Sequence, residues 1–389
     1  MGVQTAPSVD YVQRAAALAA ELRATAAQRD VAAGTPRAER ERIRASGLLR
    51  LMVPVQYGGL GGSWPTLIAC VREIAAADAS LAHLFGYHHL EVVTPHLMGT
   101  TEQRAQYYQL TTQHNWFWGN AINPLDTRVT LTDGRLRGTK SFCTGAKDSD
   151  LLLISAIRPG QPGLVVAVIP TGRAGVIVHD DWANMGQRQT DSGSVTFEDV
   201  AVAPDEILGP PGPGGSVFAS LRPCVTQTIL SSIFVGVALG ALDEARRFTA
   251  AQAKPFPGMA VERPAEDPYV LHHFGDMWAT LSGAVCLVER AADALQTAWE
   301  AEDDLTPEAR GICAVTVSTA KLAAGRVALD VTSRMFEDMG ARATMEQHRF
   351  DRFWRNVRTL TLHDPLDYKA REVGDWALNG RLPTPTFYS

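Results

Sequence analysis

Cysteine is scarce in this chain of 389 residues: Cys70, Cys143, Cys224, Cys286 and Cys313 are scattered, with no two close in sequence. That spacing argues against a disulfide framework or a cysteine-rich zinc site and fits reduced thiols in the cytoplasm. Positive charge is not in excess either. The formal net charge is -6, which counts against a nucleic-acid surface, since that needs clustered lysine and arginine. The nearest approach to a basic patch, "RAERERIRASGLLR", is interrupted by Glu39 and Glu41 and reads as a solvated helix face. Long hydrophobic runs are missing too. "TILSSIFVGVALGAL" (Thr228–Leu242) is too short and too rich in Ser and Gly to span a bilayer, so a buried core helix is expected and no membrane partner. A secretory leader is not expected, because no basic region precedes an apolar block at the N-terminus.

Several catalytic signatures are also lacking. There is no phosphate-binding GxxxxGK[ST] and no GxSxG nucleophile elbow. "YGGLGG" (Tyr57–Gly62) is glycine-rich but lies between helical stretches, so it is not a dinucleotide fingerprint. His88–His89 and His272–His273 are adjacent pairs. Neighbours on a helix point to different faces, so no metal is expected there.

What is present is a clear change of period. Apolar residues recur at three and four from about Val9 to Gln113, with Thr35-Pro36 and Ser63-Trp64-Pro65 reading as helix starts. Between about Trp116 and Pro204 the period is two. "RVTLTDGRLRGTKSF" turns at Asp133-Gly134, and "DLLLISAI", "GLVVAVIP", "GVIVHD" and "SVTFEDVAV" follow as short strands. Long helices return after about Pro213, one of them closing on Gly340. The expectation is an α+β fold with helical residues 1–115, a central antiparallel β domain over 116–208 and a helical bundle over 209–389. The Pro-rich stretch Lys254–Tyr269 is expected to be a lid or mobile cover.

Four segments, "SGLLRLMVPVQYGGLGGSW", "GTKSFCTGAKDSDLLLISA", "MGQRQTDSGSVTFEDVAVAPDEILG" and "MGARATM", resemble the acyl-CoA dehydrogenase superfamily of flavoproteins in order and separation. The resemblance implies an N-terminal helical domain, a central β domain and a C-terminal four-helix bundle that builds a homotetramer, with the flavin between sheet and bundle. The dehydrogenases of that superfamily use a glutamate base, in most of them on a late Gly-Thr-rich segment. Here the matching segment, "TLHDPLDYKAREVG", has no such signature and carries His363. The C-terminal run from Asn356, with "LAHLFGYHHL", "WFWGNAINP" and "SFCTGAKDSDLL", is similar to the dibenzothiophene monooxygenase branch. Those enzymes are two-component oxygenases on the same fold.

That similarity implies roles residue by residue. His363 matches a late active-site histidine, His83 and Tyr87 match polar residues on a substrate helix, and Asn120 matches an amide beside the flavin. Phe142 and Thr144 lie in the segment next to the flavin ring, Trp182 beside the isoalloxazine, and Arg342, with Ala343 and Thr344, at the FMN phosphate. Two departures stand out: Leu360 replaces a second histidine of that branch, and the stretch between Asn120 and Thr144 is shorter. Each residue also has a plain structural reading. His363 could cap the Asp364-Pro365 turn; His83 and Tyr87, four apart on one helix face, could be core aromatics. Asn120 could be a turn residue, Gly145 only the bend that ends a strand at Thr144, Trp182 a sheet aromatic, and Arg342 half of an inter-subunit ion pair.

The function so implied is oxygenation of a small apolar substrate, at sulfur or another soft heteroatom, by reduced FMN and O2 through a flavin C4a-hydroperoxide. The partner would be a separate NAD(P)H:flavin reductase delivering FMNH2 by diffusion, and the tail "LNGRLPTPTFYS" would reach a neighbouring subunit. The rivals are an FAD-dependent acyl-CoA dehydrogenase and a flavin-free scaffold. A histidine suits the oxygenase because its ordinary pKa lets it give and take protons near neutrality, while the cofactor carries the oxygen chemistry.

Overall fold

A computed structural model describes residues 9–210, 214–251, 253–255 and 257–389. Among the described residues, helices α1 (Val9–Arg23), α2 (Ala26–Ala32), α3 (Arg37–Ala45), α4 (Trp64–Ala77), α5 (Ala79–Met98) and α6 (Thr101–His114) come first. Strands β1 (Trp118–Ala121), β2 (Thr130–Thr132), β3 (Arg135–Lys140), β4 (Leu151–Ile157), β5 (Leu164–Pro170), β6 (Val176–Val178) and β7 (Val195–Ala201) follow. Helices α7 (Arg222–Ala251), α8 (Pro268–Glu300), α9 (Pro307–Met339), α10 (Asp351–Leu360) and α11 (Leu366–Asn379) complete the chain. The change of period therefore marks a real change of architecture.

The punctuation works through specific bonds. Ser63 caps α4 by accepting from the Thr66 N–H, with Trp64 and Pro65 in the first turn, as its residue type predicts. Thr35 does not cap: α3 begins at Arg37 without a side-chain cap, and the Thr35 hydroxyl bonds Asp191 instead, at 3.0 Å. Asp133 and Gly134 both take positive φ, 52° and 68°, the two-residue turn that joins antiparallel β2 and β3. Gly340, with φ of 72°, closes α9 by donating its N–H to Phe336.

The sheet runs β1-β4-β2-β3-β7-β6, with β5 added on β4. It is mixed, not purely antiparallel: β1 and β2 each run parallel to β4. The cause is that β4 pairs with strands that are not its neighbours in sequence, whereas only hairpin connections impose antiparallel order. The parallel register sets Asn120 opposite Leu153, inside the molecule.

Two apolar cores result, one shared by the helices and a smaller one under the sheet. Helix α7 has the length and hydropathy of a membrane span, but 94% of that window is buried inside the protein. It packs on α4 at Gly236 and Gly240, where an added Cβ would stand 2.6 Å from the Arg72 carbonyl oxygen and 2.2 Å from that of Ala76. Only glycine permits so close a crossing.

Helix α5 lies behind this contact and is buried along nearly its whole length, three histidines included. Burial holds His83 and His88 down to about 3 and pushes His89 well below its ordinary value. Each is neutral when folded and takes up a proton when unfolded below about pH 6.5. Their contribution is therefore intact above that pH and lost as pH falls, by about 1.4 kcal/mol per pH unit for each histidine. In a denaturation series from neutral to acid pH, His88→Asn should lose about 1.4 kcal/mol less per pH unit than the wild type. A slope unchanged in that variant would show that His88 is not buried neutral.

Candidate active site

A cavity of about 890 Å³ opens between α5, the end of β1, the β6–β7 connection, the start of α7 and the end of α10. Its lining includes His83, Tyr87, Asn120, Phe142, Thr144, Trp182 and His363. Seven residues singled out in the sequence, from five different parts of the chain, thus meet on one surface.

His83 and Tyr87 stand one turn apart on α5 with their rings edge to face at 4.3 Å. Across the cavity wall the Tyr87 hydroxyl meets His363 Nε2 at 3.3 Å. His363 does not cap the turn that carries it. That turn is held instead by Asp364, whose carboxylate takes a hydrogen bond of 3.0 Å from buried Lys321. His363 is exposed and lines both this cavity and a second one against α11 and the tail. Desolvation, then the Lys321 charge, holds its pKa down to about 4. Burial raises the Tyr87 phenol above its ordinary range, so near neutrality Tyr87 keeps its proton and His363 is uncharged.

The opposite wall is built for hydrogen bonding. The Asn120 N–H donates to the Thr144 carbonyl at 2.9 Å, and its side-chain oxygen accepts from the Ile122 N–H at 2.6 Å. Its side-chain NH2 takes no part in either bond. The hydroxyls of Thr144, Ser192 and Thr190 form a row, with successive separations of 2.9 and 2.8 Å. Phe142, 60% exposed into this space with φ of +58°, stands edge-on to Trp182 at 6.1 Å. Backbone strain of this kind collects at functional sites.

Other lining residues had gone unread in the sequence. Gln187 reaches His83 Nδ1 at 3.3 Å. Arg222, at the start of α7, gives Nη2 to both carboxylate oxygens of buried Glu91, at 2.9 and 2.7 Å, and Nε to Thr94 at 3.1 Å. A lone arginine heading an apolar helix carries no sequence signal. Phe387 and Tyr388 also line the cavity. The tail therefore folds back on its own chain: Gln227 and Lys369 donate to the Tyr388 carbonyl, and Arg310 to the Ser389 main-chain oxygen. Those donors hold the last two residues, Tyr388 and Ser389, against their own chain.

Arg342, Ala343 and Thr344 do not join the others. They form a short 3-10 turn after α9, with Arg342 and Thr344 exposed and Ala343 buried. Lys321 lies beside the cavity wall, and about 27 Å of helix separates it from the end of α9. None of the described residues of Lys254–Tyr269 lines this cavity either.

Three family profiles match in succession: "Acyl-CoA dehydrogenase, N-terminal domain" over residues 11–113, "middle domain" over 119–200 and "C-terminal domain" over 228–368. A probable FMNH2-dependent monooxygenase, SfnC of Pseudomonas putida, is 48% identical over 96% of this chain and 95% of its own. Dibenzothiophene monooxygenase of Rhodococcus qingshengii is 47% identical over 98% and 96%. Among solved structures, methanesulfinate monooxygenase MsuC of Pseudomonas fluorescens superposes with a TM-score of 0.95 at 49% identity, covering 97% of this chain and 99% of that one. FMN-bound TdsC of Paenibacillus gives 0.92 at 45%, covering 98% and 100%. With all three domains matched in order and relatives near half identical from end to end, the chain belongs to the acyl-CoA dehydrogenase family.

Proposed function

We propose that this protein is the oxygenase of a two-component flavin monooxygenase that acts on a small sulfur compound. The observation that carries the reading is the Tyr87–His363 contact in a cavity with no free carboxylate among its described lining residues. Asp126 is the one acid there, and it is tied to Arg128 at 2.8 and 2.7 Å and to the Ser141 hydroxyl at 2.8 Å. An acyl-CoA dehydrogenase needs a carboxylate free to take a proton, so that alternative loses its base.

The cavity suits a flavin. Its volume is in the range of cofactor sites, and His83 Nε2 and Gln187 Nε2 are buried on its wall without a partner. Buried polar atoms are nearly always bonded, so a polar ligand is the natural completion. Reduced FMN, once bound, would supply the activation of O2 and the oxygen atom delivered to sulfur. The Asn120 amide and the Thr144 and Ser192 hydroxyls are suited to its ring edge, and Phe142 and Trp182 to its flanks. The Tyr87 O–H can donate to His363 Nε2, which leaves the imidazole proton on Nδ1 for transfer. Leu90, Ile122, Leu360 and Leu362 keep the substrate side dry, which favours oxygenation over release of peroxide.

A cytoplasmic homotetramer served by an NAD(P)H:flavin reductase, with FMNH2 reaching it by diffusion, completes the proposal. Arg342, too far to serve its own cavity, would meet the FMN phosphate of a neighbouring subunit. FAD is the less suitable flavin. Arg342→Ala should then weaken FMN binding by about 1.5–3 kcal/mol in a calorimetric titration. An unchanged dissociation constant would remove it from the site.

The substrates named for the relatives differ in charge, dibenzothiophene being neutral and methanesulfinate an anion. The charge of Arg222 is already paired with Glu91, but its Nη1 takes no part in the bonds to Glu91 and Thr94, and that donor on the wall is suited to an oxygen of the anion. Supplied with a reductase, FMN and NADH, the protein should convert methanesulfinate to the sulfonate, one oxygen atom going to sulfur and the other to water. Conversion of dibenzothiophene alone would reverse the assignment of charge, and no oxygenation of any sulfur compound would overturn the function.

His363→Ala should retain folding and FMN binding while product formation falls about 10²–10⁴-fold. Flavin should still be reoxidised, with hydrogen peroxide replacing product. A variant that stays coupled but melts at lower temperature would make His363 structural.

A further inference from the structure

Gln187 is held with more care than a loop residue needs. It lies between β6 and β7 with φ of +54°, a conformation that side chains with a Cβ rarely adopt. Three bonds fix it there. Its N–H donates to the Asn356 side-chain oxygen at 2.6 Å, and its carbonyl accepts from Trp182 Nε1 at 2.7 Å and from the Thr190 hydroxyl at 2.9 Å. The residue before it, Gly186, sits so tightly on α10 that a Cβ would stand 2.2 Å from the Arg355 carbonyl oxygen. Strained backbone persists only when its surroundings over-determine it, and here they do.

What this fixture presents is one amide oxygen, 3.3 Å from His83 Nδ1. With the amide oxygen turned to the ring, Nδ1 carries the ring proton and Nε2 bears a lone pair. That Nε2 is buried, has no protein partner and belongs to a residue on the cavity wall. We propose that Gln187 is a positioning residue, locking His83 in the tautomer whose bare Nε2 accepts a hydrogen bond from an N–H or O–H of the bound flavin or substrate. The site then has two unlike ends on one wall: His83 as acceptor and, beyond Tyr87, His363 as donor.

The titratable groups facing His83 are Tyr87 on its own helix and His363 beyond α10, while the Arg222–Glu91 pair lies further along the same wall. None is a free carboxylate, which leaves His83 neutral. The inference rests on the monooxygenase reading for the identity of the ligand but not for the tautomer.

The test uses the full chain labelled with 15N-histidine, its His83 signal identified by loss in His83→Gln. Before any flavin is added, His83 should show a protonated Nδ1 and a bare Nε2 between about pH 5 and 8. Gln187→Met should scramble that tautomer and, with reductase and substrate, lower coupled product per bound FMN about 10²-fold. Gln187→Glu, the close isostere, should preserve the tautomer but let His83 gain a proton as pH falls, giving product formation an acid limb that the wild type lacks. A protonated Nε2 in the wild type, or a Gln187→Glu enzyme with wild-type pH profile and coupling, would overturn the proposal. Failure of the wild type to oxygenate sulfur would instead sink the function, leaving the tautomer to be judged on its own spectrum.

Discussion

A single buried ammonium decides where the late histidine stands. Lys321, inside α9, has no exposure and bonds the Asp364 carboxylate and the Gln227 side chain. Burial lowers its pKa to about 8 while Asp364 opposes the shift. Such a pair contributes little net stability, because desolvation offsets most of the attraction, but losing either partner is costly. Its worth here is geometric. It pins the turn between α10 and α11, so that His363 faces Tyr87, and Gln227 in turn helps to hold the tail carbonyl of Tyr388. Three separate stretches of chain are aligned by one charge.

Neutrality is the second theme. The histidines on α5 and at the end of α10 are all depressed by burial, and the charged groups of the walls are consumed in pairs. A neutral imidazole is both donor and acceptor, and which nitrogen does which is set by its neighbour. The chemistry is thus written in tautomers more than in charges.

Much of this was legible in the sequence. The switch of hydrophobic period gave the helix, sheet, helix order because side-chain periodicity is local. Asp133-Gly134 and Gly340 were legible for the same reason: each residue type answers a backbone demand at its own position. His83, Tyr87, Asn120 and His363 could be named through likeness of motif, although nothing in their spacing brings residue 83 beside residue 363. Arg222 and Gln187 could not be read, since their roles come from partners more than a hundred residues away in sequence. Arg342 shows the reverse. Its motif was clear, but a 33-residue helix carries it away from the cavity of its own chain. Thr35 looked like a cap and was drawn off by Asp191, a long-range partner overriding a local preference.

The glycine contacts between α4 and α7 have an evolutionary consequence. They leave no slack behind α5, so the wall bearing His83 and Tyr87 can be remodelled only by disturbing the main core. The facing wall is different. Seven consecutive residues, Ile122 to Arg128, line the cavity as a loop, anchored where Lys140 donates to the Asn123 and Asp126 carbonyls and where Asp126 accepts from Ser141. Loops tolerate changes of length that cores do not. The loop is therefore the half of the site that can be reshaped without touching the core, while the rigid half passes on unchanged.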